Sequence, residues 1–108
     1  MKDQLYRFYE ILIGDEDSYE VELMLQTFPI IRRTKQGAWI CYNSLDENDP
    51  DKFVLLTARK QFACETIEEA KESYKARKKH QIRILQARLE RALRALRAAE
   101  RDNWSITG

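Results

Sequence analysis

The sequence predicts an α+β fold, in which an antiparallel meander of about four strands is followed by one long C-terminal α-helix. Three observations support this fold class. The first half of the chain contains aromatic and β-branched runs separated by turn residues. Thr66 and Glu69 form a capping box, which is a helix start signal. Between Asp51 and Thr107 there is no Gly or Pro to interrupt a helix.

The first two strand-like runs differ in how clearly they can be read. Residues 5–13 are aromatic and β-branched and predict a strand, which residues 14–18 end in a turn. Residues 19–28 alternate apolar with polar side chains, which favours a strand with one buried face. The same segment also places apolar residues at helical spacing, and Pro29 follows it. We prefer a strand here, with a helix as the alternative.

The remaining strands follow from turn chemistry. Residues 30–34 and 38–42 flank a short link that contains Gly37, which predicts a hairpin in which Gly37 has a positive φ. Residues 45–51 form a polar, acidic loop, and residues 52–57 form the last strand. The segment that leads to the helix is expected to place Phe62 and Ala63 in the core.

The helix predicted from residue 66 to about residue 101 has about 36 residues and a length of about 54 Å. Such a length exceeds the radius of gyration of about 13 Å of a 100-residue domain, so its distal half is expected to overhang and need a partner. We therefore predict a single domain with a β-sheet body (1–65) and a helix (66–103) that packs on the sheet at 66–75.

The helix carries two successive apolar stripes. Ile67, Ala70 and Tyr74 share one face that is expected to pack on the sheet. The second stripe, over 82–99, has the 3-4-3-4-3 spacing of a and d heptad positions and consists of Ile82, Leu85, Leu89, Ala92, Leu96 and Ala99. Leu93 broadens this stripe beside Ala92. It predicts self-association as a homodimer with coiled-coil character; the alternatives are packing on the chain's own sheet and a heterologous partner.

A basic collar lies between the two stripes. Residues 71–83 contain six Lys or Arg and one acid, and four of the basic residues recur at i+4 spacing. Such a ridge is able to follow a phosphate backbone, although only Tyr74 offers an aromatic ring for base stacking. The candidate anion- or nucleic-acid-binding residues are Arg32, Arg33, Lys71, Lys75, Lys78, Lys79 and Arg83. Solvation, or an acidic protein partner, is the alternative that we favour.

Composition narrows the function classes. The net charge is +1, but residues 1–65 carry −4 and residues 66–108 carry +5. No apolar run is long enough for a transmembrane helix, and the N-terminus shows no apolar signal-peptide segment, so we expect a cytoplasmic protein. The two cysteines are expected to be free thiols, and no metal or cofactor is expected. The acidic loops lack the EF-hand pattern, and no catalytic motif is visible, so we expect no enzyme.

Part of the chain resembles a known group of proteins. Residues 33–40, 52–54, 59–63, 66–70 and 77–85 look like a widespread group of small, uncharacterised phage and prophage proteins. This resemblance covers about residues 30–90 and implies a phage origin and the host cytoplasm as the compartment, with no established activity. A looser likeness to a plant DNA-binding domain of three strands and one helix is an analogy of fold only.

These observations lead to one functional hypothesis and an alternative. The hypothesis is a non-enzymatic phage-type interaction protein that binds itself and a host or phage macromolecule, for example as an inhibitor of a host defence system. The alternative is a DNA- or RNA-binding accessory protein that uses the basic collar. Trp104 in the polar tail is expected to dock a partner or to fray.

Overall fold

A four-stranded antiparallel sheet and one long helix make up the part of the chain, residues 3–101, that the computed structural model describes. The strands are β1 (Gln4–Gly14), β2 (Tyr19–Arg33), β3 (Gly37–Ile40) and β4 (Lys52–Leu55), and the helix is α1 (Ile67–Glu100). The sheet order β1-β2-β3-β4 is that of a meander, which confirms the predicted fold class. The chain divides into two compact units, the first ending at Lys75 and the second beginning at Ala76.

The ambiguous segment 19–28 is a strand, as we preferred, and not a helix. It continues through Pro29 as part of β2. Residues 19–29 pair with β1, whereas β3 pairs with residues 30–33, so Pro29 lies where β2 changes its partner. Proline has no amide hydrogen for a ladder, and the change of partner is a place where none is needed. The next amide, that of Ile30, donates to the carbonyl of Asp3 at 3.0 Å. The two runs on either side of Pro29 are therefore one strand of 15 residues.

The two turn glycines act in different ways. Gly14 has a φ of +121°, and the Asp15 carboxylate after it accepts hydrogen bonds from the amides of Asp17 (3.2 Å) and Ser18 (2.9 Å). The predicted positive φ of Gly37 is wrong, because Gly14 alone among the described glycines has one. Gly37 is required for space instead, since a Cβ there would lie 2.0 Å from the carbonyl oxygen of Val54.

The core lies on one face of the first unit. Directly paired residues of an antiparallel sheet share a face, so Leu5 with Phe28 and Ala38 with Val54 point to the same side. The buried core residues are Leu5, Phe28, Ala38, Ile40, Val54 and Ala63. Phe62 packs against them while partly buried, so both Phe62 and Ala63 reach the core as predicted.

The segment before α1 closes the outer edge of β1 and starts the helix. Cys64 exchanges two backbone hydrogen bonds of 2.8 Å with Tyr6. The Thr66 hydroxyl accepts a hydrogen bond from the Glu69 amide at 3.1 Å, which confirms the Thr66 half of the predicted capping box. In the first helical turns Ala70 is buried, and the Tyr74 hydroxyl donates to the Glu10 carboxylate of β1 at 3.1 Å.

Candidate interaction surfaces

The second apolar stripe of α1 is exposed along its whole length. We call the six side chains Ile82, Leu85, Leu89, Ala92, Leu93 and Leu96 the helix stripe. All residues from 79 to 97 are exposed, and Leu89 retains 60% of its accessible surface. A helix in water gains most of its stability by packing an apolar face, so an unpacked face of this size indicates a binding surface.

The charge around the helix stripe is strongly positive. Residues 76–101 contain nine Lys or Arg and two Glu, which is a net charge of +7. Glu90 accepts a hydrogen bond from Arg94 at 2.9 Å, one turn later, so one of the two acids is already paired. An exposed pair of this kind contributes only about 0.3–0.5 kcal/mol. The helix stripe is therefore an apolar band on a basic helix.

The basic residues predicted to bind anions divide between the two units. Lys71 and Lys75 belong to the first unit, and Lys75 donates to Glu72 at 3.2 Å. The others on the helix belong to the second unit, where Lys78 donates to Gln81 at 3.0 Å and Lys79 and Arg83 are exposed. The four residues of the predicted i+4 ridge, Lys71, Lys75, Lys79 and Arg83, all lie on α1.

The two arginines of β2 make contacts within the sheet. The Arg32 guanidinium lies 5.8 Å from the centre of the Trp39 ring, which itself packs against Phe53. Arg33 forms an ion pair with Asp3 and lies 3.8 Å from the Glu65 carboxylate. The Arg33 hydrogen bond holds the pKa of Asp3 below its usual value. Arg33 therefore faces two carboxylates that would compete with any bound anion.

A second exposed apolar surface, which the sequence pattern did not identify, lies on the β1–β2 hairpin. Beyond the core, residues 8–14 and 19–25 continue as a two-stranded ribbon, which we call the arm. Paired positions share a face, and one face carries the exposed side chains Leu12, Tyr19, Val21, Leu23 and Leu25, which we call the arm face. Leu12 keeps 65% of its surface exposed. Two-stranded ribbons are marginally stable in water, so the exposed apolar side chains of the arm face form a second candidate interaction surface.

The arm is as acidic as the helix is basic. Residues 8–25 contain Glu or Asp at six positions and no Lys or Arg. Three of the six acids, Asp15, Glu16 and Asp17, form the turn, and Glu20 and Glu22 project from the face opposite the arm face. The sixth, Glu10, shares the arm face with Leu23 and accepts the hydrogen bond of Tyr74. The arm follows from the difference in strand length. Strand β2 has 15 residues and β3 has only four, so most of β2 has no partner on the β3 side.

The acidic loop between β3 and β4 is built by its own carboxylates. Asp51 accepts hydrogen bonds from the amides of Tyr42 (2.5 Å) and Asn43 (2.8 Å), and these bonds lower the pKa of its carboxyl. Asp46 accepts a hydrogen bond from the amide of Asn48 at 3.0 Å. Within residues 3–101, no group of three His, Cys, Asp or Glu side chains is placed to hold a metal ion. The acids therefore act in turn formation.

Two cations cover the aromatic side of the core. The Phe62 ring contacts Phe28 and Tyr42, and the Arg7 guanidinium (4.4 Å) and the Lys52 ammonium (4.3 Å) approach its centre. Such contacts contribute about 0.5–1 kcal/mol each at exposed positions. This cluster stabilises the first unit. Cys41 and Cys64 are free thiols, as predicted.

The comparisons with known proteins leave the family open. No family model, no curated protein and no solved structure matches the chain. Over the described part of the chain, no helix combines the length and the apolar character that crossing a bilayer requires. Trp104, predicted to dock a partner or to fray, lies outside the described residues. The two exposed apolar surfaces and their charges are therefore the features of the molecule that bear on function.

Proposed function

We propose that the protein is a non-enzymatic interaction protein that self-associates through the helix stripe and then binds a host or phage macromolecule. The observation that carries this proposal is the exposure of every side chain of the helix stripe. Five of the six are large aliphatic residues, which soluble proteins rarely leave together in water.

The energy available from the helix stripe is of the right size for a dimer. Its large side chains are about half exposed, so covering each one contributes roughly 1 kcal/mol, about half of the value for full burial. Ten such side chains from two copies contribute about 10 kcal/mol, which lies within the 4–15 kcal/mol that association costs. The helix stripe alone therefore supports at most a weak dimer, and a tighter one requires further buried surface.

The biological role that we propose is occlusion of a partner. The resemblance of residues 30–90 to small phage proteins supports a phage origin and action in the host cytoplasm. A small protein of this kind acts by covering a functional surface, as an inhibitor of a host defence protein would. Pull-down from host lysate with and without nuclease, using the wild type and a monomeric variant, tests whether a protein partner depends on assembly.

Self-association is tested by comparing two substitutions on opposite sides of the same helix. Leu89→Glu places a charge in the helix stripe, whereas Ile84→Glu places the same charge on the far side, at a residue that is 40% exposed. We expect the wild type and Ile84→Glu to sediment as dimers of twice 12.9 kDa and Leu89→Glu as a monomer with unchanged far-UV circular dichroism. An unchanged mass for Leu89→Glu would overturn the assignment of the helix stripe.

Nucleic-acid binding is the second candidate, and the net charge of +7 on residues 76–101 favours it. The wild type is expected to be retained on DNA or RNA with an affinity that falls steeply as the salt concentration rises. Reversal of Lys75, Lys79 and Arg83 to Glu is expected to abolish this retention. The matched control reverses the exposed residues Lys35, Arg59 and Lys60 of the first unit. Equal loss in the two triple variants would show that only net charge matters, and no retention of the wild type at low salt would remove this candidate.

A further inference from the structure

Large and small side chains are divided unevenly between the two heptad positions along residues 82–99 of α1. All three a positions hold a large aliphatic residue, whereas two of the three d positions hold alanine. The a positions are Ile82, Leu89 and Leu96, and the d positions are Leu85, Ala92 and Ala99. This division bears on the direction in which two copies of the helix pack against each other.

Parallel pairing in register places each residue opposite its own copy. Ala92 then meets Ala92 and Ala99 meets Ala99, so two of the six layers of the seam hold only alanine. Pairs of Leu or Ile in the other layers keep the helix axes about 8–10 Å apart, and a void remains at each layer that holds only alanine. Such voids forfeit the packing contacts of a well-filled seam.

Antiparallel pairing places the a positions of one helix opposite the d positions of the other. The layers that form are Ile82 with Ala99, Leu85 with Leu96 and Leu89 with Ala92, each of them twice. Every layer then holds at least one large aliphatic residue, and each alanine faces a large one, which is the arrangement that lets facing layers interdigitate. A shift by one heptad would leave two residues of each helix without an opposite residue, so this register is specified.

The antiparallel arrangement also separates the positive charges. Residues 76–101 carry a net charge of +7, so two copies of this segment repel each other. In a parallel pair each arginine lies level with its own copy, whereas in the antiparallel register every arginine from Arg83 to Arg97 lies level with Ala, Leu, Ile or Glu. The two copies of Arg83 are then about 22 Å apart along the axis, which is more than twice the Debye length of about 8 Å at physiological salt.

Leu93 fits the antiparallel pair better than the parallel one. It follows Ala92 at an e position beside the seam, and it is exposed in the single chain. In the antiparallel register the two copies of Leu93 lie on the same side of the seam, about 8 Å apart along the axis, and their side chains lean toward each other because helical side chains tilt toward the N-terminus. In a parallel pair Leu93 would lie beside Arg88 at the g position of the other copy.

We infer that the helix stripes of two copies pack antiparallel, with the two-fold axis between Glu90 and Arg91 and with Leu89 against Ala92 of the second copy. The inference rests on the proposed self-association and adds the orientation and the register of the pair. A two-fold contact of this kind uses the same surface on both copies, so assembly closes at the dimer.

Disulfide trapping measures the orientation directly. The two test chains are Leu85→Cys and Leu96→Cys, each with Cys41→Ser, and the remaining Cys64 is buried. In the antiparallel register position 85 lies level with position 96 of the other copy, whereas the two positions 85 are about 16 Å apart along the axis, beyond the Cα separation of about 7 Å that a disulfide spans. We expect a mixture of the two chains, one of them isotope-labelled, to give the heterodisulfide at least about fivefold in excess of either homodisulfide.

The other orientation gives the opposite product. A parallel pair places each new cysteine opposite its own copy, so an excess of the homodisulfides would overturn the inference and leave self-association intact. The matched control mixes Ile84→Cys with Leu96→Cys, because Ile84 lies on the far side of the helix and is exposed. Equal heterodisulfide yields in the test and control mixtures would show random collision and would also overturn the inference. A wild type that sediments only as a monomer would remove the proposed self-association together with it.

An exchange of charge gives a second measurement that needs no cysteine. In a mixture of Leu85→Glu and Leu96→Lys chains, antiparallel pairing places the new acid opposite the new base in one layer and leaves Leu opposite Leu in the related layer. In a mixture of Leu85→Glu and Leu85→Lys chains, only parallel pairing brings the two charges together. We expect the first mixture to form a heterodimer at least about tenfold tighter than the second, measured by sedimentation. Equal affinities, or the reverse order, would contradict the antiparallel register.

Discussion

Truncation of Leu5 probes how the small core holds the first unit together. The Leu5 side chain is fully buried at the centre of the face that it shares with Phe28, so Leu5→Ala leaves a cavity among residues that have little room to collapse. Leu→Ala changes at such sites cost about 2–5 kcal/mol. A unit of this size has a total stability of only about 4–11 kcal/mol, at 0.05–0.15 kcal/mol per residue. Leu5→Ala is therefore expected to remove a large fraction of its stability.

Urea unfolding measures this loss directly. With a slope of about 1–2 kcal/mol per molar urea, the midpoint is expected to fall by roughly 1–5 M. Trp39 lies in β3 and packs against Phe53, so its fluorescence reports on the sheet. Leu45→Ala is the matched control, because Leu45 is fully exposed in the loop after β3 and its truncation is expected to change stability by less than about 0.5 kcal/mol. Equal midpoints for Leu5→Ala and the wild type, or an equal fall in Leu45→Ala, would refute this description of the core.

Two further predictions concern the turns around the core. Gly37→Ala is expected to lower the thermal midpoint of the first unit by several degrees, because the new Cβ would meet the Val54 carbonyl oxygen and force β3 from β4; a fully stable variant would contradict the close approach. The lowered pKa of Asp51 means that its carboxylate stabilises the fold above the unfolded value of 3.8 and that this contribution is lost as pH falls through the lower folded value. The stability difference between the wild type and Asp51→Asn is therefore expected to be largest near neutral pH and to vanish in acid. Thermal melts measured over a range of pH test this, and a difference that is independent of pH would contradict it.

Local chemistry was sufficient to predict most of the fold. The cap at Thr66, the strand runs and the absence of helix breakers after Asp51 act within a few residues, so they can be read without a structure. The sequence pattern divided β2 at Pro29, because whether a proline ends a strand depends on the hydrogen-bond ladder around it. The role of Gly37 was also beyond the sequence, since its constraint comes from the Val54 carbonyl on a neighbouring strand.

Of the two exposed apolar surfaces, only the helix stripe could be predicted from the sequence. The spacing of Leu85, Leu89 and Leu96 identifies an apolar stripe without the need for coordinates. The arm was missed because alternation in a strand predicts a buried face but does not tell what covers it. The structure pairs residues 19–25 with β1 alone and leaves their apolar side chains exposed. The length of β2, which the sequence pattern divides at Pro29, is the structural feature that marks the arm.

The central claim is that this chain associates with itself through surfaces that a single copy leaves exposed. Sedimentation equilibrium of the wild type across the micromolar range tests this claim most directly. We predict that the mass rises with concentration from 12.9 kDa to twice that value and that the Leu89→Glu chain stays at the lower value throughout. A wild-type mass of 12.9 kDa at every concentration would contradict the account.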